Sequence, residues 1–122
     1  MASETDIVWR LRVEEQDTEG VAVIACTGRV SKRTSPLLEQ ALGAAIASPA
    51  RGLVLDLSNV DYISSPGLRA VETASVRLDG EGRAFVVCGL KDAVDVAFAL
   101  AGLGASLAIE ASRELAVKRA GA

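Results

Sequence analysis

Residues 63–68 (ISSPGL) stand between two segments whose apolar residues follow different periods. The upstream run, residues 52–57 (GLVLDL), is short and apolar, which predicts a buried strand. Downstream, apolar residues recur at helical spacing, so a helix is expected to run to about Asp79. The stretch is therefore a strand-to-helix junction, where backbone N–H groups and the helix dipole favour negative charge. Because the hydroxyls of Ser64 and Ser65 lie there, the junction is the first candidate for a functional site.

Composition excludes several classes of function. The chain has 122 residues, about one domain, and half of them are hydrophobic but only 3% aromatic, which indicates an aliphatic core. A net charge of −3 gives no reason to expect binding to nucleic acid or to an anionic membrane. The amino terminus lacks the apolar core of a signal peptide, and the longest uncharged stretch, residues 96–109, is too short to span a bilayer. We expect a single soluble, cytoplasmic domain over residues 1–122, with residues 1–6 frayed and no membrane insertion.

The order of strands and helices predicts the fold class. Strands that alternate with helices from residue 50 onward indicate parallel βαβ units, and an amino-terminal hairpin makes the sheet mixed. The expected fold is α/β, with a mainly parallel sheet of about five strands and about four helices. The predicted strands cover residues 7–13, 20–26, 52–57, 84–88 and 106–109, with turns at residues 14–20 and at Ser58-Asn59. The predicted helices open at Ser35-Pro36, at Ser65-Pro66, at Asp92 or Asp95, and after Ser112.

Side chains that carry catalysis or bind metals are scarce. There is no histidine, and no phosphate-binding, dinucleotide-binding or nucleophile-elbow motif. Asp56 and Asp61 flank the junction, but carboxylates at this spacing usually cap local backbone or stay solvated. Cys26 and Cys88 are too far apart for a CxxC motif, and we expect both to be buried free thiols. We therefore predict no enzyme, no metal and no cofactor.

Residues 55–68 (LDLSNVDYISSPGL) resemble the central motif of the STAS-domain family, the fold of bacterial anti-sigma-factor antagonists. The resemblance extends to residues 26–30 (CTGRV) and to residues 112–116 (SRELA), so it covers essentially the whole chain. It implies a partner switch controlled by phosphorylation, in which the unmodified protein binds an anti-sigma factor that is also a serine kinase. Phosphorylation of a serine at the helix N-terminus then breaks the complex. On this basis the partner is expected to bind at Ser64, Ser65, Pro66, Gly67, Arg69, Ala70, Thr73, Val76 and Arg77.

The sequence departs from the family pattern at the switch itself. Pro66 stands at the phosphoacceptor position, Ser65 at the preceding serine and Ser64 where the family has an aspartate. Because proline carries no hydroxyl, the switch has either moved back to Ser65 or been lost, and the sequence leaves both outcomes open. The phosphorylation candidates are Ser65 and Ser64.

A purely structural role for Ser65 competes with phosphorylation. Residues 34–36 (TSP) and 64–66 (SSP) share a pattern, a hydroxyl followed by proline, that is typical of a helix start. This pattern predicts Ser35 and Ser65 as N-caps, and a capping serine is also placed to carry phosphate.

Three functional alternatives follow. The first is an anti-sigma-factor antagonist that binds a serine kinase, and the second is a non-phosphorylated STAS subunit of a lipid-transport or sensory scaffold complex. A third, binding of a small ligand, has no specific residue behind it. A homodimer is left open, and a basic loop at Arg29, Lys32 and Arg33 is either a solvated loop or a contact for an acidic partner.

Overall fold

A computed structural model describes residues 10–122, which form five strands and four helices. The strands pair in sequence order, β1-β2-β3-β4-β5. The β1–β2 pair is antiparallel, and all other neighbours are parallel, as predicted for a mixed α/β sheet that begins with a hairpin. The elements are β1 Leu11–Thr18, β2 Val21–Val30, α1 Ser35–Ala47, β3 Gly52–Ile63, α2 Ser65–Gly80, β4 Ala84–Cys88, α3 Asp92–Leu100, β5 Ala108–Glu110 and α4 Arg113–Ala120.

The prediction of a polar turn over residues 14–20 is wrong. The first strand continues through these residues to Thr18, and the turn is only Glu19-Gly20, where both residues have positive φ. Two residues with positive φ fit the twist of a tight hairpin. The strand lies at the edge of the sheet and is largely exposed, so its polar side chains reflect contact with solvent and not a loop. The prediction that residues 1–6 are frayed and the start of the strand predicted over residues 7–13 both concern residues outside the described part of the chain.

The turn predicted at Ser58-Asn59 is also absent, because β3 runs on to Ile63. Its pairing with β4 ends at Asp56 opposite Cys88, whereas its pairing with β2 continues to the end of the strand. Ser58 and Asn59 lie where the β2–β3 register shifts, at an irregularity that keeps the strand going. The second half of β3 therefore extends past β4 and is paired on one side only.

Helices cover the two faces of the sheet unequally. Three of them, α1, α2 and α3, pack on one face and form the larger apolar core. The short helix α4 covers the other face, where Ala116, Val117 and Ala120 pack on the sheet. Its end lies so close to β3 that a Cβ on Gly52 would be 2.6 Å from the Ala120 carbonyl oxygen. The strand residues beneath α4 are Val21, Val23, Val54, Val86 and Cys88.

Candidate functional site

Two strand-to-helix junctions lie side by side at the carboxyl ends of neighbouring strands. Strands β2 and β3 are parallel and in contact up to Val30 opposite Ile63, and each then leads into a helix. The Ser64 N–H donates to the Val30 carbonyl at 2.7 Å, which ties the second junction to the first. The carboxyl ends of parallel strands are where loops and helix N-termini converge in open α/β sheets. The ISSPGL stretch is thus placed at the edge where binding sites of such sheets usually form.

Ser64, and not Ser65, is the N-cap of α2. Its backbone is extended (φ −82°, ψ 169°), its side chain is 6% exposed, and its Oγ accepts a hydrogen bond from the Gly67 N–H at 3.2 Å. The predicted cap is therefore one residue too late. The helix includes Ser65 as its first residue and Pro66 as its second, which proline tolerates because no intrahelical donor is lost in the first turn.

The same shift occurs at α1, where Ser35 was predicted to cap. The helix begins at Ser35 itself, and Thr34 is the preceding N-cap residue. Thr34 makes no side-chain cap; its Oγ1 donates to the Arg29 carbonyl at 2.7 Å and accepts from the Ser31 N–H at 2.8 Å. The turn between β2 and α1 is thus closed by buried hydroxyls, a role that no sequence motif had indicated for Ser31 and Thr34.

The start of α2 offers an anion fewer free backbone N–H groups than the sequence led us to expect. Pro66 has no N–H, and the Gly67 N–H is already bound by Ser64 Oγ. An anion at a helix N-terminus needs free backbone donors as well as the dipole. The hydroxyl of Ser65 is exposed at the first helical position, so it is the accessible one of the two candidate serines.

Gly67 allows α2 to approach the sheet closely. A Cβ at this position would lie 2.6 Å from Val30 Cγ1 and 2.8 Å from Ile63 Cγ1. Since real Cβ atoms do not approach other atoms so closely, the junction requires glycine here for packing, although its backbone is helical. Gly67 is buried and supports the site from beneath, so it does not offer a partner a side chain.

The exposed face of α2 begins at the junction and continues along the helix. Of the nine residues predicted to bind a partner, Ser64 and Gly67 are buried and Pro66 and Ala70 are half-buried. The remaining five are exposed, and Val76 has 67% of its surface accessible. The exposed residues are Ser65, Arg69, Thr73, Val76 and Arg77.

A shallow groove of about 200 Å³ separates α2 from α1 and lies beside this face. Arg69 and Arg77 line it from α2, and Glu39 and Gly43 line it from α1. The two α1 residues were missed from the sequence because they are far from the motif. Only the packing of α1 against α2 places them in the same surface.

Charged and aromatic side chains surround the junction. Arg29 lies over the Tyr62 ring, with its Cζ 4.6 Å from the ring centroid, and Lys91 pairs with Asp61 at 2.8 Å. Arg29 belongs to β2 and not to the loop in which it was predicted, whereas Lys32 lies in the turn that follows. Tyr62 lies inside the motif at residues 55–68 but was not among the predicted site residues, because a turn at Ser58-Asn59 was expected to end the strand before it.

Asp56 is the buried carboxylate behind the junction. It is 5% exposed, and its oxygens accept hydrogen bonds from the Ser58 N–H at 3.0 Å and from Arg113 Nε at 2.7 Å. Burial alone would raise the pKa of Asp56, but hydrogen bonds from Ser58 and Arg113 and the charge of Arg113 together lower it. Because Arg113 begins α4, this pair links the last helix to the centre of the sheet.

The two thiols are buried and free, as predicted. Burial, with a smaller contribution from the charge of Asp56, raises the pKa of Cys26 to about 12. The pKa of Cys88 is also raised to about 12, again chiefly by burial. Since the thiolate is the reactive form, both side chains are inert at neutral pH.

Comparison with known proteins identifies the family. The family model of the STAS domain matches residues 12–116. The chain belongs to the STAS family. BtrV of Bordetella bronchiseptica, named as an anti-sigma factor antagonist, is 34% identical over 98 residues, 80% of this chain and 84% of its own length. RsfB of Mycobacterium tuberculosis, named as an anti-sigma-F factor antagonist, is 34% identical over 68 residues, 56% of each chain.

A solved structure agrees with this assignment. The crystal structure of an anti-sigma factor antagonist from Mycobacterium paratuberculosis superposes with a TM-score of 0.86 at 28% sequence identity. The match covers 93% of this chain and 96% of that one. Among the described residues of this STAS chain, no helix is both long enough and apolar enough to cross a membrane.

The corrected cap of this STAS chain makes a prediction about stability. Ser64→Ala is expected to lower the free energy of unfolding by about 1 kcal/mol, because it leaves the Gly67 N–H without its buried acceptor. Ser65→Ala is the matched control and is expected to have little effect, since Ser65 is exposed and does not cap. Urea unfolding of the two variants measures the difference. An equal loss in both, or a larger loss in Ser65→Ala, would contradict the assignment of the cap.

The ion pair between buried Asp56 and partly exposed Arg113 makes a prediction about acid stability. The pKa of Asp56 is lower in the folded than in the unfolded chain, so the stabilisation is fully present above the unfolded value, near 3.9, and is lost as the pH falls through the folded value. Asp56→Asn is therefore expected to be less stable than the wild type at pH 7 and to lose less stability on acidification.

Urea midpoints between neutral pH and the acid transition test this prediction. Arg113→Met, which keeps most of the side-chain length, should reproduce part of the loss at neutral pH. The two changes combined should cost less than their sum, because they remove the same interaction. Additive losses, or an unchanged acid slope in Asp56→Asn, would show that the pair does not contribute as described.

Proposed function

We propose that this STAS protein is an anti-sigma-factor antagonist, a regulatory binding protein and not an enzyme, that acts in the cytoplasm. Its proposed partner is an anti-sigma factor with serine kinase activity, and no direct contact with nucleic acid is involved. The observation that carries the proposal is the continuous exposed surface from Ser65 to Arg77, which begins at the strand-to-helix junction. The relatives named as anti-sigma factor antagonists support it.

Ser65 is the proposed site of phosphorylation. It is exposed, whereas Ser64 is buried and its Oγ accepts a hydrogen bond from the Gly67 N–H. A phosphate on Ser65 would add nearly two negative charges at the start of the surface that the partner covers. Since few backbone donors are free there, the phosphate would act chiefly by repelling the partner and much less by ordering the helix.

Phosphorylation with candidate kinases tests the proposal directly. The protein is incubated with ATP and a serine-kinase anti-sigma factor from its own genome, and the sites are mapped by mass spectrometry. We expect phosphate on Ser65 in the wild type and in Ser64→Ala, and none in Ser65→Ala. Gel filtration should give a complex with the unmodified protein and none with the phosphorylated form. No phosphate on either serine, together with no complex, would overturn the proposal.

A second candidate function is a constitutive STAS subunit of a lipid-transport or sensory scaffold complex, which one observation favours. Pro66 stands at the family's phosphoacceptor position, and the serine that caps the helix is buried. If the exposed Ser65 is not a kinase substrate, the protein would bind its partner permanently. Stable copurification with a transporter ATPase or a sensor, unaffected by Ser65→Asp, would support this function against the first. Sedimentation of the isolated chain would show whether a homodimer forms.

A further inference from the structure

A second groove, of about 670 Å³, lies on the other side of α2 from the α1 groove. It exists because α3 has only 9 residues, whereas α2 has 16, so α3 ends before it covers the sheet beside the second half of α2. The turn after α3 bounds the groove, and the strands β4 and β5 form its floor. We refer to it as the α2–β5 groove.

The α2–β5 groove is apolar at its centre. Phe85 from β4 and Leu103 from the turn are buried at its floor, and Leu107 is half-buried beside them. Val76, on the rim, has 67% of its surface exposed. Val76 and Leu107 are thus the accessible apolar side chains above this buried floor, and the apolar face of an amphipathic segment would cover them.

Two acidic residues and one arginine line the groove. Glu72 and Asp79 lie seven residues apart on α2, two helical turns along the same side. The one arginine in the lining, Arg83, does not neutralise them, because its guanidinium donates to the carbonyls of Ile46, Ser48 and Ala50 and pairs with Glu81. The basic residues of α2, Arg69 and Arg77, line the α1 groove instead. The helix thus separates its charges, basic toward α1 and acidic toward β5.

From these observations we propose that the α2–β5 groove is a second docking surface, which binds a basic amphipathic segment of a protein partner. Lysine or arginine side chains of that segment would pair with Glu72 and Asp79, and its apolar face would cover Phe85, Leu107 and Val76. The groove lies on the opposite side of α2 from the α1 groove and shares Val76 with the exposed face described above, while its far residue Asp79 is about 20 Å from Ser65 along the helix at 1.5 Å per residue. A partner held here would be retained whether or not Ser65 carries phosphate.

Amide chemical shifts of the isotopically labelled full chain test the proposal with model peptides. A short peptide of leucine and lysine, with leucine at helical spacing, should shift resonances of residues lining the groove, above all Val76, Phe85 and Leu107. A leucine–glutamate peptide of the same length and pattern should not. Binding should weaken about tenfold in the double variant Glu72→Gln with Asp79→Gln, and should fall as salt rises.

The matched control is the double variant Glu14→Gln with Glu15→Gln, which removes the same charge from the exposed strand β1. It should bind the basic peptide as the wild type does, and so should Ser65→Asp. Equal weakening in both double variants would show a response to net charge only and would overturn the proposal. So would shifts confined to other surfaces, or equal binding of the leucine–glutamate peptide. Self-association of the wild type that is lost in Glu72→Gln with Asp79→Gln would make a second copy the occupant and would also overturn it.

Discussion

Replacing Arg83 with alanine is expected to lower the free energy of unfolding by about 3 kcal/mol. The guanidinium is only 16% exposed and donates to the carbonyls of Ile46 and Ala50 at 2.6 Å and of Ser48 at 3.2 Å. The last carbonyls of a helix lack intrahelical partners, and α1 has no basic residue in its own last turn to supply them. Arg83, which comes from the start of β4, closes the end of α1 from outside.

Urea unfolding measures this loss, and two further variants make the result specific. Arg83→Lys should recover less than half of it, because one ammonium group cannot span several carbonyls as the planar guanidinium does. Arg12→Ala is the control, since its ion pair with Glu14 is exposed on both sides and should contribute little. If Arg83→Ala were no more damaging than Arg12→Ala, the closure of α1 would not depend on the guanidinium.

Replacing Gly67 with alanine is expected to cost about 2 kcal/mol, in contrast to the usual gain from such a change in a helix. The new Cβ would meet Val30 and Ile63, so the start of α2 would have to move away from the sheet. Because the proposed partner surface begins there, we also expect weaker binding of the partner. Gly43→Ala in α1 is the matched control, since a Cβ there would meet no heavy atom within 4 Å.

The pair of variants separates packing from helix propensity. Gly43→Ala should raise the free energy of unfolding by up to about 1 kcal/mol, because alanine restricts the unfolded chain and favours the helix. Both changes act through the same propensity, so the difference between them measures the contact of α2 with the sheet. Stabilisation by both would mean that the junction tolerates a side chain at Gly67.

The sequence was sufficient for the strands and helices whose environment matches their residue pattern. Strand β4 was predicted with correct ends, because both of its faces are covered and its residues form one apolar run. The predictions failed for segments that belong to a strand but have the polar residues of a turn. The polar half of β1 pairs with β2 at the sheet edge, and Ser58 continues β3 through an irregularity, although each of these segments resembles a turn by composition.

The sequence identified the strand-to-helix junction but assigned its N-cap one residue too late. The junction lies where the spacing of the apolar residues changes, as expected, but its N-cap is Ser64. A hydroxyl can cap a helix only if its residue is extended and its oxygen lies within reach of the N–H of the third helical residue. Proline is tolerated in the first turn of a helix, so Pro66 indicates that the helix starts close to it. Either of the two serines before it could then have been the N-cap. Glu39 and Gly43 join the surface through tertiary packing, which a local motif does not encode.

The position of α4 in the chain has a consequence for synthesis in the cell. The valines that it covers come from β2, β3 and β4, between residues 21 and 86, whereas α4 itself is made only at residues 113–120. Until those residues leave the ribosome, one face of the sheet has no cover, and an exposed aliphatic sheet surface invites aggregation. Released chains that stop before Arg113 should therefore depend on chaperones, and released chains that include α4 should not.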